Sequence, residues 1–167
     1  MSKRICLVAV DVRSAHNIGS IFRTCDGLGV ELFLVGICPR PRYDDDTRLP
    51  HVAKKAEKQI AKTALGAEKS VSWRYADTLL ECKDILKREG FDIVAIEQTK
   101  NSRPLRDMSV KKDIALVVGR EVEGLSGVEI KLCEDGEYEI PMEGTKESFN
   151  VSVAAGIAMY EAVRGAL

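Results

Sequence analysis

Histidine, tryptophan and aromatic side chains in general are scarce in this chain: two His, one Trp and 5% aromatics in 167 residues. With only His16 and His51, and five scattered cysteines (Cys6, Cys25, Cys38, Cys82, Cys133) that form no C-x-x-C pair, a zinc site of the usual Cys/His spacing has no support, and no metal is expected. The odd cysteine count also argues against a disulfide framework. The thiols read as reduced, mostly buried small hydrophobes of a cytoplasmic protein. No apolar run approaches the ~20 residues needed to span a bilayer. Behind Met1-Ser2-Lys3-Arg4, the run Ile5 to Val10 is too short for a secretory core and is ended by Asp11. An excess of one charge is missing too, with 25 Lys+Arg against 26 Asp+Glu. There is no G-x-G-x-x-G and no Walker lysine, so dinucleotide and nucleoside triphosphate sites are unsupported. Repeats, linkers and low-complexity segments are absent as well.

What is present is an ordinary soluble composition, 45% hydrophobic and 31% charged, on a length that suits one domain at roughly 150 residues per domain. Strand-like and helix-like segments alternate. ICLVAV (5–10) is a continuous apolar run suited to a strand buried on both faces. Residues 17–28 carry Ile18, Ile21, Phe22, Cys25 and Leu28 on one helical stripe, with Gly29 as a stop. ELFLVG (31–36) is a second strand, followed by a Pro/Arg/Asp-rich loop over 37–50, long enough to suggest function or mobility. Further along, the pattern predicts a helix over 51–65, a short strand over 71–73, and a helix over 77–88 capped by Asp77 and ended by Gly90. Strands follow at 92–97 and 114–118, then a short helix within 125–133, a strand at 138–140 and a final helix over 150–164. This is the pattern of an α/β domain with a mostly parallel central sheet and helices on both faces.

The near-zero net charge hides a gradient. Residues 1–75 sum to +5 and residues 76–167 to −6. The positive half is densest from Pro39 to Lys62, where Arg40, Arg42, Arg48, Lys54, Lys55, Lys58 and Lys62 stand around three consecutive acids, Asp44 to Asp46. A polyanion would be read by such cations, although a solvated helix face has the same look.

Ligands of parallel sheets sit beyond the carboxyl ends of the strands, and three segments there stand out. In the first, D-V-R-S-A-H-N-I-G-S-I-F-R (11–23), Asn17, Ser20 and Arg23 share a helix face while Ile18, Ile21 and Phe22 turn to the core. The second, G-R-E-V-E-G-L (119–125), has glycines that let backbone approach a ligand closely. The third, I-P-M-E-G-T-K-E-S-F-N-V-S-V-A (140–154), ends a strand at proline and opens a helix with Ser148 and Asn150. Each alone also reads as ordinary capping or turn chemistry.

In order and spacing, N-I-G-S-I-F-R-T-C-D-G-L-G (17–29), V-V-G-R-E-V-E-G-L-S (117–126) and the third segment resemble the three signature motifs of the SpoU (TrmH) family of RNA 2′-O-methyltransferases, in the SPOUT superfamily. The likeness covers nearly the whole chain, with Phe149 where the family usually has Leu. The resemblance implies one methyltransferase domain over 1–167 without RNA-binding extensions. It implies an α/β fold whose C-terminal part is tied in a deep trefoil knot, which general topology rules would not suggest. It also implies a homodimer and S-adenosyl-L-methionine as cofactor. By position, the cofactor pocket would involve Ile96, Gly119, Glu121, Ile140, Met142 and Ser148. Arg23 would be the catalytic arginine, supported by Asn17, Glu121, Ser148 and Asn150.

A ribose hydroxyl is a poor nucleophile near neutral pH. A guanidinium stays protonated, so the expected role of Arg23 is to grip the phosphate beside the target ribose and stabilise the developing alkoxide, while water or the phosphate takes the proton. His16 and His51 read as surface residues, with His16 near an RNA entrance as the alternative. The stretch Arg40 to Lys62, and Arg13, would guide RNA. Trp73 and Tyr75 read as core or interface residues. The small-residue face of the last helix (Val151, Ala154, Ala155, Ala158, Tyr160) is expected to contribute to the dimer interface. The expected substrate is RNA, tRNA favoured over rRNA. A non-catalytic RNA-binding or assembly protein on the same domain is the rival, and a small-molecule methyltransferase of doubly wound type lacks its glycine-rich first turn.

Overall fold

Six consecutive apolar residues leave no polar face, and Ile5–Val10 accordingly forms a central strand, β1, buried along its whole length. In this computed structural model, which describes residues 3–167, Met1 and Ser2 of the amino-terminal run discussed above lie outside the described residues. Side chains alternate across β1: Ile5, Leu7 and Ala9 enter one core, and Cys6, Val8 and Val10 enter the other.

The remaining strands are β2 (Glu31–Val35), β3 (Trp73–Ala76), β4 (Asp92–Ile96), β5 (Arg103–Pro104), β6 (Ile114–Val118) and β7 (Glu137–Glu139). They form one seven-stranded sheet in the order β3-β2-β1-β6-β4-β7-β5, and every pairing is parallel. The first core lies under α1 (Ala15–Leu28), α2 (Pro50–Ala64) and α6 (Val151–Ala166). The second lies under α4 (Leu79–Arg88) and α5 (Gly127–Leu132). A short α3 (Ala67–Ser70) joins α2 to the edge strand.

Several boundaries differ from those read in the sequence. The first helix begins at Ala15 and is capped by Ser14, whose Oγ accepts from Asn17 N–H at 3.2 Å. Asn17 is therefore not the cap, and its amide is free for a longer-range role. The cap of α4 is Thr78, not Asp77: Thr78 has the extended backbone a cap requires and accepts from Glu81 N–H, while Asp77 accepts instead from the Tyr75 hydroxyl at 2.9 Å. The third strand spans 73–76 rather than 71–73, in register with Leu32 to Val35. The two-residue β5 and the single turn of 3-10 helix after it (Leu105–Asp107) lie between the strands expected at 92–97 and 114–118, where the sequence indicates no element, both being too short to carry periodicity.

The face of α6 expected to contribute to a dimer interface divides, Tyr160 being exposed and Ala154 half-buried. Val151, Ala155 and Ala158 are buried in the chain's own core, with Met159 and Ala162. Small side chains there let α6 approach the sheet and α1. What α6 leaves to solvent is an apolar stripe that keeps Tyr160 of that face and adds Val153 and Ile157. All five cysteines are free and buried. Burial pushes the thiols of Cys25, Cys38, Cys82 and Cys133 up to about 12, which removes them from nucleophilic chemistry at neutral pH. Among the described residues no helix is long and apolar enough to cross a membrane.

Candidate functional site

The carboxyl ends of β1, β4, β6 and β7 lie along one edge of the sheet, and the loops leaving them converge. The junction is built on Glu121. Its Oε1 accepts from Ser14 N–H at 3.0 Å and from Asn17 Nδ2 at 3.3 Å, and its Oε2 accepts from Arg13 N–H at 3.3 Å. Asn17 Oδ1 in turn accepts from Asn150 Nδ2 at 3.2 Å. Asn150 caps α6, its Oδ1 accepting from Ser152 N–H at 2.9 Å and Ser152 Oγ at 2.7 Å. One hydrogen-bonded line thus joins all three segments singled out in the sequence, across separations of more than a hundred residues.

Burial alone would push the Glu121 carboxyl up, but the amides of Ser14, Arg13 and Asn17 outweigh it and hold the carboxyl below its ordinary value. A carboxyl depressed in the folded state contributes stability above its unfolded value, near ~4.3, and that contribution is lost as pH falls through the folded value. Glu121→Gln is expected to cost about 1–3 kcal/mol at neutral pH. The difference in Tm from wild type should narrow as pH is lowered below about 4. Thermal melts between pH 7 and pH 3 check this, and a difference independent of pH would contradict it.

The neighbouring Arg120 was read in the sequence only as part of a glycine-flanked turn. It pairs with Asp11 through Nη2 and with Glu129 through Nη1 at 2.9 Å, and Nη1 also donates to Gly124 O at 3.2 Å. These partners, the hydrogen bond from Glu129 foremost, push the guanidinium far above its ordinary value. Asp11 Oδ1 accepts from Ile37 N–H at 3.0 Å. Arg120 therefore clamps the loop after β6 to the loop after β1, and Asp11 passes the tie on to the long loop after β2. No sequence spacing announces this triad. A charged residue between glycines at a strand end is the one signal that could have found it.

Residues 119–124 close on themselves, Arg120 N–H donating to Gly124 O at 3.3 Å and Gly124 N–H to Arg120 O at 3.2 Å. Gly124 needs its left-handed backbone (φ 65°) for this turn, and a side chain there would strike the Glu97 carboxylate. Glu97, whose role sequence reading also missed, directly follows β4. Its Oε2 accepts from Leu125 N–H at 2.8 Å, fixing this loop against the next strand end.

Beneath the loop lies an open cleft of about 160 Å³. Of the residues proposed from sequence, Ile96, Gly119, Glu121, Ile140 and Ser148 line it, and Phe149 and Ala154 add apolar wall. Met142 is half-buried and is not among the lining residues. Asn17 and Asn150 reach the rim through Glu121. Arg23 stands apart. It is exposed on α1, lines no part of the cleft, and makes no ion pair or side-chain hydrogen bond among the described residues. His16 and His51 are exposed, and Trp73 and Tyr75 are half-buried against the first core.

The cleft combines apolar walls with a surplus of acid. Glu97, Glu121, Glu123 and Glu139 line it, against the single cation Arg120, which is already paired. Such a lining suits a ligand with an apolar ring and a positive centre. Among the described residues no group of three or more His, Cys, Asp or Glu side chains is placed to hold a metal ion.

Comparison with known proteins places the chain in company. The model of the SpoU rRNA methylase family matches residues 4–160. A tRNA (guanosine(18)-2′-O)-methyltransferase of Aquifex aeolicus is 35% identical over 97% of the chain and 70% of that relative. The solved structure of the A. aeolicus TrmH/SpoU tRNA-modifying enzyme superposes with a TM-score of 0.70 at 32% identity, over 98% of this chain and 77% of that one. The AdoMet-bound rRNA methyltransferase of Sinorhizobium meliloti is alike in fold, with a TM-score of 0.80 at 24% identity over the whole chain and 58% of its own. The chain thus spans little more than half the length of that last protein.

Proposed function

This chain belongs to the SpoU rRNA methylase family of RNA ribose 2′-O-methyltransferases, and on that premise we propose that it transfers a methyl group from S-adenosyl-L-methionine to a ribose 2′-OH of tRNA. The observation that carries the reading is the line Glu121–Asn17–Asn150, which assembles the three strand-end segments around one cleft. The tRNA guanosine methyltransferase of A. aeolicus, at 35% identity, supports tRNA over rRNA.

The cleft fits the donor on its own chemistry. Ile96 and Ile140 offer apolar walls to an adenine ring, and the carboxylate surplus suits a sulfonium and an ammonium. Gly119, directly after β6, lets the loop backbone at Gly124 and Leu125 pack against it where a side chain would collide. When bound, the donor supplies an electrophilic methyl on a sulfonium, whose loss to the ribose oxygen leaves a neutral thioether. Glu121 holds the loop that shapes the pocket, and Ser148 lines the same space. Arg23 grips the phosphate beside the target ribose and offsets the negative charge developing on the 2′-oxygen, the proton passing to water or to that phosphate.

Because Arg23 lies outside the cleft of its own chain, the site is completed in a homodimer, two subunits jointly cradling the donor against the sugar. The exposed stripe of α6 supports this: Val153 (48% exposed), Ile157 (37%) and Tyr160 (61%) follow on from the cleft-lining Phe149 and Val151. A threaded C-terminal knot is part of the same reading. The chain runs out to edge strand β5, returns to β6 in the sheet centre, then inserts β7 between β4 and β5, a route that supports threading. The whole of 1–167 acts as one methyltransferase domain, and the five free, buried thiols support a cytoplasmic setting.

The test is to incubate the protein with unfractionated tRNA and methyl-labelled donor, then digest the RNA and identify the labelled nucleosides. Label confined to 2′-O-methyl nucleosides is the expected result. RNA binding without any label would contradict the enzyme and favour a binding protein on the same domain.

A further inference from the structure

The basic region of residues 40–62 separates in the structure into cations already engaged and cations left free. Arg48 is folded into its own loop, paired with Asp46 at 2.5 Å and donating to the carbonyls of Arg40 and Pro41. Arg40 stacks on Tyr75, its guanidinium 3.6 Å from the ring centre. Arg42 pairs with Glu57 at 3.0 Å. The lysines of α2 are different: Lys54, Lys55, Lys58 and Lys62 are all exposed and none makes an ion pair among the described residues. His51, Lys55, Lys58 and Lys62 stand at i, i+4, i+7 and i+11, a single stripe on the face opposite the buried Ala53, Ile60 and Ala64. The sole acid of α2, Glu57, is engaged with Arg42 off this stripe.

Aligned like charges at these spacings repel and weaken a helix by about 0.2–0.5 kcal/mol per pair. The chain carries almost no net charge, so the stripe is a local concentration and not a by-product of a basic protein. Its position is also specific. The second half of α2 lies against the first half of α1 at Gly19, where a side chain would come within 3.0 Å of Ala64 N, and Thr63 Oγ1 donates to His16 O at 2.8 Å. His16 adjoins Asn17, which holds Glu121 at the cleft.

We propose that Lys55, Lys58 and Lys62, with Lys54 beside them, form a phosphate track that holds the backbone of the RNA substrate as it approaches the cleft. This deepens the methyltransferase reading and rests on RNA being the substrate. The occupant is nucleic acid because the stripe offers point charges at regular intervals with no apolar residue among them, which suits evenly spaced phosphates.

The experiment compares wild type with the triple variant Lys55→Gln/Lys58→Gln/Lys62→Gln, measuring tRNA affinity from 50 to 300 mM salt, with the triple Lys→Arg variant as the charge-retaining control. Each phosphate contact contributes about 0.7–0.9 to the slope of log K against log salt, so the glutamine variant is expected to lose about 2–3 from that slope and at least tenfold in affinity at low salt. The arginine variant should keep both, and all three proteins should bind the methyl donor alike. Equal slopes for wild type and glutamine variant would overturn the track while leaving the activity standing. A lost slope in a protein that transfers no methyl would uphold the track and overturn the activity. Polyglutamate competing as well as tRNA would mark the stripe as a site for acidic protein and overturn its assignment to RNA.

Discussion

Replacing Arg23 with alanine is expected to lower kcat for methyl transfer by about 10²–10³-fold, the cost of losing one fixed donor at a developing oxyanion, while the donor binds as tightly as before. The split follows from geometry. Arg23 is exposed and lines no part of the cleft, so its removal leaves that pocket whole. It is also uncommitted: no carboxylate holds it among the described residues, in contrast to Arg120, which is held by Asp11 and Glu129. An arginine kept free of partners has its fork available for a phosphate. Arg23→Lys should recover little, because a point charge on a flexible stem cannot reproduce the planar, bidentate grip. Steady-state kinetics with tRNA, alongside donor titration, check both variants. An alanine variant that methylates at the wild-type rate would remove Arg23 from the reaction.

The parts of this molecule that declared themselves in sequence are those governed by local rules. ICLVAV could be placed as a strand covered on both faces, and IALVV as a strand, because no polar residue interrupts them, and both are central in the sheet. The stripe Ile18, Ile21, Phe22, Cys25 fixed the inward face of α1. The segments after β1, β6 and β7 stood out because ligands of parallel sheets gather at that edge.

What the sequence concealed depends on contacts between distant residues. Asn17 had the look of a helix cap, yet Ser14 caps α1, and the Asn17 amide bridges Glu121 and Asn150. Nothing in the local pattern of D-V-R-S or G-R-E-V foretells that Asp11 and Arg120 pair across 109 residues. Which part of the small-residue face of α6 is buried in the chain's own core (Val151, Ala155 and Ala158) was not legible, because small residues pack closely against a neighbouring helix and a partner subunit alike. β5 escaped notice because two residues carry no periodicity, and its strand character comes from β7 beside it.

The second large effect concerns Gly119. A side chain there would lie within 2.6 Å of Gly124 O and collide with the peptide joining Gly124 to Leu125. The loop over the cleft is closed by the mutual hydrogen bonds of Arg120 and Gly124 and fastened by Leu125 N–H to Glu97, so it cannot yield without releasing these ties. Forcing an added methyl into such a site costs about 1–3 kcal/mol, and Gly119→Ala is expected to weaken donor binding by about a hundredfold, near 3 kcal/mol, with overall helicity retained because the change lies in a loop.

Calorimetric titration of S-adenosyl-L-methionine into wild type and Gly119→Ala tests most directly whether this cleft holds the methyl donor. One donor bound per chain in wild type, and a roughly hundredfold loss of affinity in the folded variant, is the predicted result. A wild type that gives no binding heat by this route and no competition with labelled donor, or a variant that titrates like wild type, would contradict it.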